Sequence, residues 1–304
     1  MFYATNIANF KKIITIFANK LTFREMIIIA DGGSTKCDWA VVDSTKGKII
    51  ERFKTEGINP FAVSIEKISE VLHTHFAPVA AKYDITNIWF YGSGCVFATV
   101  DKVKALLADI VPTADIFVGT DLDGAVNACC PDGNGIACII GTGSSSAQHE
   151  GGIRTKQVPA LGYLLGDEGS GTVMGRLILS DFLKGVMPEH LTKAFAEEYG
   201  VTQAEALERA YHQPAANRYF GSFAPFLSKH LNDPYIRGFV KDNLRRFVVR
   251  NICQYRTDIY PANFIGSIAS VFEDILSEVL AEEGVSKGII ASSPMELLVK
   301  YHSK

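Results

Sequence analysis

The chain has 304 residues, 47% hydrophobic and 21% charged, with a formal net charge of −3. That composition excludes a disordered chain, and the mildly acidic balance, with Lys and Arg dispersed, argues against nucleic acid as the main partner. The length suits one large domain or, better, two of ordinary size. No apolar run approaches the ~18 residues that cross a bilayer, so a cytoplasmic protein with no membrane partner is expected. The basic pair Arg245-Arg246 reads as a solvated helix face. Cys37, Cys95, Cys129, Cys130, Cys138 and Cys253 form no C-x-x-C pair and sit mostly in apolar contexts, as buried reduced thiols do. The seven histidines are scattered, and His73 and His75, two residues apart, fall on different helix faces, so no histidine metal site is expected.

In chain order, residues 1–25 read as an extension outside the folded core. Their apolar segment, Ile13 to Ala18, is too short for a secretory core, and Met26 directly precedes the first strand and is the expected start. Met26 to Ala30 is a buried strand. It runs into Asp31-Gly32-Gly33-Ser34-Thr35 and returns as a strand through Trp39-Ala40-Val41-Val42, with a third strand from Lys48 to Phe53. Ile65, Ile68, Val71, Leu72 and Phe76 share one side of an amphipathic helix. Ile88 to Tyr91 is a strand ending at Gly92-Ser93-Gly94, Asp101 to Ile110 a helix, and Ile116 to Val118 a strand. Thr120-Asp121-Leu122-Asp123-Gly124 then opens a helix through Ala128.

The order restarts at Gly135. A strand to Ile140, the turn Gly141-Thr142-Gly143-Ser144-Ser145-Ser146 and a return through His149 repeat the first motif about 110 residues later. After it come the glycine-rich turn Gly166 to Gly171, leading to a helix near Thr172, and a Thr202–Glu205 capping box. Asp233-Pro234 starts a long helix, Phe264-Ile265 is a strand running into a helix begun at Gly266-Ser267, and a short terminal helix covers Met295 to Tyr301. No linker separates the halves, which points to a shared cleft and hinge. Glycine lets backbone N–H groups approach an anion, and hydroxyls add donors. One Gly-Gly-Ser turn is an ordinary hairpin connection; two facing ones would grip a nucleotide triphosphate from both sides.

Asp31-Gly32-Gly33-Ser34-Thr35-Lys36, Gly141-Thr142-Gly143-Ser144, the run Gly162 to Gly171 and Gly266-Ser267-Ile268-Ala269, in this order, resemble the N-acetylglucosamine kinases and the activator ATPases of 2-hydroxyacyl-CoA dehydratases. Both belong to the actin-like superfamily of sugar kinases and chaperone ATPases, and the resemblance covers nearly everything from Met26 onward. It implies an α/β fold of two ribonuclease H-like lobes, each a mixed five-stranded sheet with flanking helices, around a central nucleotide cleft. Residues 26–134 would form one lobe, completed by the terminal helix 294–304, and residues 135–293 the other.

The resemblance also implies ATP and Mg²⁺. Asp31, at a strand end, would hold hydrated Mg²⁺, or bond its own turn backbone. Gly32, Gly33, Ser34, Thr35 and Lys36 on one side and Gly141, Thr142, Gly143 and Ser144 on the other would contact the phosphates, although Lys36 also reads as an exposed strand lysine. Ser145 stands where the family often has Asn. Gly266 and Ser267 match the adenosine turn, or a strand-to-helix turn packed for space. Asp121 is the candidate general base, with a helix N-cap as the alternative and Asp123 as a rival two residues on. On the acceptor side stand Asn59, Ser93, Gly162 and Asp167; Asn59-Pro60 is also an ordinary turn, and Asp167 sits in a loop that could be merely structural.

The leading expectation is an ATP-dependent kinase that phosphorylates the 6-hydroxyl of N-acetylglucosamine, with N-acetylmuramic acid or glucosamine as alternative acceptors. A dehydratase activator would need an exposed cysteine pair for a 4Fe–4S cluster shared across a dimer, and no such pair is evident. A non-catalytic sugar sensor or actin-like filament is the third class. The partner expected is a small amino sugar, with a homodimer left open.

Overall fold

The computed structural model describes residues 25–96 and 98–303; the proposed extension therefore lies, but for Glu25, outside the described residues. The chain builds the same sheet twice. In the first, β1 (Met26–Gly32), β2 (Lys36–Asp43) and β3 (Lys48–Glu56) form an antiparallel meander. Next comes α1 (Ile65–Val71), which runs on through a π-helical stretch, Leu72–Phe76, into Ala77–Ala80. Then follow β4 (Ile85–Gly92), α2 (Ala98–Ile110) and β5 (Asp115–Thr120). β4 and β5 add parallel to β1, so the spatial order is β3-β2-β1-β4-β5. β1 is central and buried on both faces, which is why Met26-Ile27-Ile28-Ile29-Ala30 reads as an unbroken apolar run. β3, at the edge, alternates.

α3 (Asp121–Cys129) carries the chain across to the second sheet. Here β6 (Gly135–Ile140), β7 (Ser144–Glu150) and β8 (Ile153–Val158) are the antiparallel meander. Helices α4 (Gly162–Leu165), α5 (Gly171–Leu183), α6 (Glu189–Tyr199), α7 (Gln203–Tyr211), α8 (Ala216–Gly221), α9 (Ala224–Lys229) and α10 (Pro234–Arg250) precede β9 (Ala262–Ile265). α11 (Ser267–Val271), α12 (Glu273–Glu282), β10 (Lys287–Ala291) and α13 (Met295–His302) close the chain. The order β10-β9-β6-β7-β8, with β9 and β10 parallel to β6, repeats the first sheet strand for strand.

Several local expectations hold. Asp233 caps α10 by accepting from the Tyr235 N–H at 2.8 Å, and Arg245 pairs with Glu282 at the end of α12 and with Glu283 just beyond it. At Thr202 the capping is one-sided: its hydroxyl accepts from the Glu205 N–H at 3.2 Å. The reciprocal pair forms instead at the start of α3, where Thr120 is the N-cap and Asp123 the answering carboxylate. β8 and β10 complete the five-stranded sheets that the resemblance implies, although the sequence pattern does not mark either strand; both lie at sheet edges, and β8 exposes most of its residues.

Three apolar layers result. One lies outside the first sheet around Trp39, Phe76 and Phe90, and one fills the helical second half around Phe195, Phe226 and Phe247. The third sits between the sheets. It joins Ile27, Ile29 and Val42 of the first sheet to Ala137 and Ile265 of the second through Ala125, Val126 and Cys129 of α3 and Met295, Leu298 and Val299 of α13. Arg52 of β3 ties down α13 through Glu296 at 3.2 Å. Among the described residues, no helix is long and apolar enough to cross a membrane.

Candidate active site

The sheets converge on one cleft. A cavity of about 590 Å³ is lined from the first half by Asp31, Gly32, Gly33, Ser34, Asn59, Ser93 and Asp121. From the second half come Gly141, Thr142, Gly143, Ser144, Gly162, Asp167 and Gly266. A smaller cavity of about 400 Å³ shares Gly141 and Thr142 as wall and adds Thr35, Arg218, Ser267, Ile268 and Phe272. The two glycine-hydroxyl turns therefore face each other across a single crevice. Lys36 lines neither cavity; it is exposed at the start of β2 and influences Asp31 only through its field.

Local sequence explains the turns. The Gly33 N–H donates to Lys36 O at 2.9 Å and the Gly141 N–H to Gly143 O at 2.9 Å, which closes both hairpins tightly. Gly266 is in a left-handed conformation, φ 128°, and a Cβ there would stand 2.3 Å from Ile140 O; only glycine lets β9 turn against β6. Among the described residues, three that are not glycine hold positive φ: Leu161 at 63°, Asp167 at 53° and Ala215 at 61°. Each is in, or within two residues of, the cleft lining, which fits the tendency of backbone strain to gather at working sites.

Three carboxylates project into the larger cavity. Asp31 accepts no hydrogen bond among the described residues, and burial, followed by repulsion from Asp121 and Asp38, pushes its pKa up to about 7. Asp121 is the first residue of α3. Its Oδ2 accepts from Ser93 Oγ at 2.6 Å and its Oδ1 from the Leu122 N–H at 3.0 Å. Burial raises its pKa, opposed by the Ser93 bond. Asp167 accepts from the Ser144 N–H at 3.3 Å and is raised to about 6, chiefly by burial. Its Oδ2 stands 3.2 Å from where a Gly143 Cβ would be, so a side chain there would crowd the carboxylate.

The rival to Asp121 is occupied elsewhere. Asp123 Oδ2 accepts from the Thr120 N–H at 2.9 Å and the Thr120 hydroxyl at 2.7 Å, and Oδ1 pairs with Arg154 at 2.5 Å. It does not line the cleft. Asn59 serves its own turn as well as the cavity: Oδ1 accepts from the Phe61 N–H at 3.0 Å, and Nδ2 donates to Ser34 Oγ at 2.8 Å. Gly94, φ 75°, leaves room for it, since a Cβ there would fall 2.1 Å from Asn59 Oδ1. Glu168 turns away to Arg250, 2.6 Å.

The cleft also contains residues that linear spacing did not flag: Phe61, Tyr163, Thr172 and Asn217 in the larger cavity and Arg218 in the smaller. The last two sit on a six-residue helix that carries no motif. Five of the six cysteines are buried and only Cys253 is exposed; burial raises the thiol pKa of Cys129 and Cys130 to about 12 and about 11.

No family model and no curated protein matches the sequence. Among solved structures, a Porphyromonas gingivalis protein provisionally named an N-acetylglucosamine kinase is 41% identical, with a TM-score of 0.87, over 91% of this chain and 99% of that one. The chain belongs to the N-acetylglucosamine kinase-like family of actin-like ATPases. A second protein so named, from Chromobacterium violaceum, superimposes with a TM-score of 0.67 at 17% identity, covering 91% of this chain and 99% of its own. A ROK-family glucokinase from Streptomyces griseus, solved with glucose and AMPPNP, gives 0.58 at 13% identity, covering 91% and 98%. These last two show the actin-like fold that this family member shares: two mixed five-stranded sheets with flanking helices.

Proposed function

We propose that the protein is an ATP-dependent amino-sugar kinase that transfers the γ-phosphoryl group of ATP to the 6-hydroxyl of N-acetylglucosamine. The observation that carries this reading is the meeting, in one cleft, of two glycine-hydroxyl turns with a hydrogen-bonded carboxylate, Asp121, at the acceptor side. The 41% identity to a protein provisionally named for that activity supports it.

The phosphate tail would lie between the Gly32–Lys36 turn and the Gly141–Ser144 turn, gripped mainly by backbone N–H groups and by Thr35, Thr142 and Ser144, with Lys36 outside that grip. Ser144 Oγ already donates to Glu168 O at 2.9 Å, so its hydroxyl is the least available of these. The adenosine would enter the smaller cavity against Gly266-Ser267 and Ile268. The sugar would take the opposite end, among Asn59, Ser93, Gly162 and Asp167.

Asp31 fits a hydrated Mg²⁺: a cleft carboxylate with no hydrogen-bond donor on it among the described residues, raised by burial and then by neighbouring negative charge, is an oxygen ligand in want of a cation. When bound, the ion would neutralise charge on the phosphates. Asp121 would accept the acceptor hydroxyl's proton as the new O–P bond forms and the bond from the γ-phosphorus to its bridging oxygen breaks, ADP leaving with that oxygen. Ser93 would hold the receiving carboxylate in line. Burial raises the pKa of Asp121, the direction that makes its carboxylate a stronger base. Closure of the halves would keep water from competing with the sugar.

A coupled ADP-release assay across N-acetylglucosamine, N-acetylmuramic acid, glucosamine and glucose tests the reading. The highest kcat/KM is expected with N-acetylglucosamine. Sugar binding without ADP release from any of them would instead make the protein a sensor. A dehydratase activator has no comparable support, since five of the cysteines are buried.

A further inference from the structure

The charges of the two connected cavities are unevenly divided. The larger is lined by three carboxylates, Asp31, Asp121 and Asp167, and by no lysine or arginine. The smaller has one charged side chain, Arg218. A polyanionic phosphate tail entering a cleft lined by three carboxylates and no basic side chain meets repulsion that one divalent ion offsets only in part. A second cation at the junction of the turns would offset more of it, and Arg218 is the cation that stands there among the described residues.

Its position is built from below. Gly175 of α5 carries no Cβ because one would fall 1.9 Å from Phe220 O; α8 thus packs directly on α5, the helix that follows the cleft's second half. Thr172 Oγ1 donates to Asn217 O at 3.2 Å and fixes the same helix from its start. Ala215, φ 61°, sets the angle at which it begins. From this anchored base the Arg218 side chain reaches across the crevice, where Nη2 donates to Ser34 O in the first turn at 2.5 Å. Among the described residues that is its one protein partner. A guanidinium has five N–H donors in a planar fork, so four remain for phosphate oxygens.

We propose that Arg218 is the second phosphate-binding cation of this site, drawing the first turn toward the second half while donating its remaining N–H groups to the phosphate tail. This rests on the nucleotide-cleft reading above. It assigns one side chain two linked tasks, joining the halves and neutralising charge that grows on the transferred group.

The test compares wild type with Arg218→Ala and Arg218→Lys, reading binding of AMPPNP and of adenosine by calorimetry beside sugar-dependent ADP release. For Arg218→Ala, AMPPNP affinity is expected to fall about 10–100-fold, adenosine affinity to stay within twofold, and kcat to fall about 10²–10³-fold with the sugar KM unchanged. Added guanidinium is expected to restore part of the Arg218→Ala turnover, and Arg218→Lys to keep more AMPPNP affinity than turnover. Equal losses for adenosine and AMPPNP would reduce Arg218 to a structural tie and overturn the proposal, as would AMPPNP affinity within twofold of wild type. If the wild-type protein releases no ADP with any sugar, the kinase reading falls, while the comparison of AMPPNP with adenosine still decides the role of Arg218.

Discussion

Asp121 and Asp123 are two residues apart on one helical turn and have opposite employments. Asp123 is consumed by Thr120 and Arg154, while Asp121 keeps one lone-pair face toward the cleft beside Ser93. Asp121→Asn should therefore lower kcat by about 10²–10⁴-fold with AMPPNP affinity near wild type, since general-base assistance contributes on that scale. Asp123→Asn should leave kcat within a few fold and instead cost about 1 kcal/mol in urea unfolding, the size of a lost capping interaction. A reversed pattern in those two assays would transfer the base role to Asp123. Sequence left this choice open because both residues satisfy the same rule for helix starts, and only the third dimension shows which oxygen atoms are already bonded. The glycine-hydroxyl turns were legible for the converse reason: their conformation is dictated locally, by residues that tolerate the required φ and close approach. Arg218 was illegible because its function depends on a partner 184 positions earlier in the chain.

At the scale of elements, α13 shows how a terminal helix becomes structural. His302 stacks on Trp89, ring centroids 4.2 Å apart, and its Nε2 shares a 2.9 Å hydrogen bond with the Tyr91 hydroxyl, which also accepts from Asn127 of α3. Burial disfavours the imidazolium and lowers its pKa to about 4. The sign follows from linkage: the unfolded chain binds a proton near pH 6.5 and the folded one only near 4. The neutral ring thus supports the fold fully above pH 6.5, and this support drains away as the pH falls toward 4. In urea unfolding, His302→Gln should gain on wild type by about 2 kcal/mol between pH 7 and 4.5. A constant difference across that range would mean that the ring is not kept neutral by the fold. The helix itself was readable from its apolar spacing, Met295, Leu298 and Val299. β8 was not: an edge strand that exposes Arg154, Thr155 and Lys156 has no alternation to read. β10 was hidden similarly, with Gly288 as its second residue because a Cβ there would fall 2.3 Å from Asn263 Oδ1.

For the whole molecule, the repeated strand order was legible as a β-β-β-α-β-α-β-α succession that begins twice, and the meeting of its two turns in one cleft follows from placing two such sheets face to face. A ligand that spans the cleft binds both halves at once, so nucleotide and sugar should stabilise the fold more together than the sum of either alone. At about 100 times its dissociation constant each ligand adds about 2.7 kcal/mol, and a few degrees in Tm per kcal/mol makes this easy to see by calorimetry. Strictly additive shifts would imply two independent sites rather than one shared by moving halves.

The middle apolar layer gives α3 an unusual position. Its first residue points a carboxylate into the crevice, while Ala125, Val126 and Cys129 along its body are wedged between both sheets. A rod seated where two jaws meet would travel least if they swung, which would mount Asp121 on the axle. In such a hinge the carboxylate would keep its aim as the halves moved, and a proton transfer made there would keep its alignment from one cycle to the next.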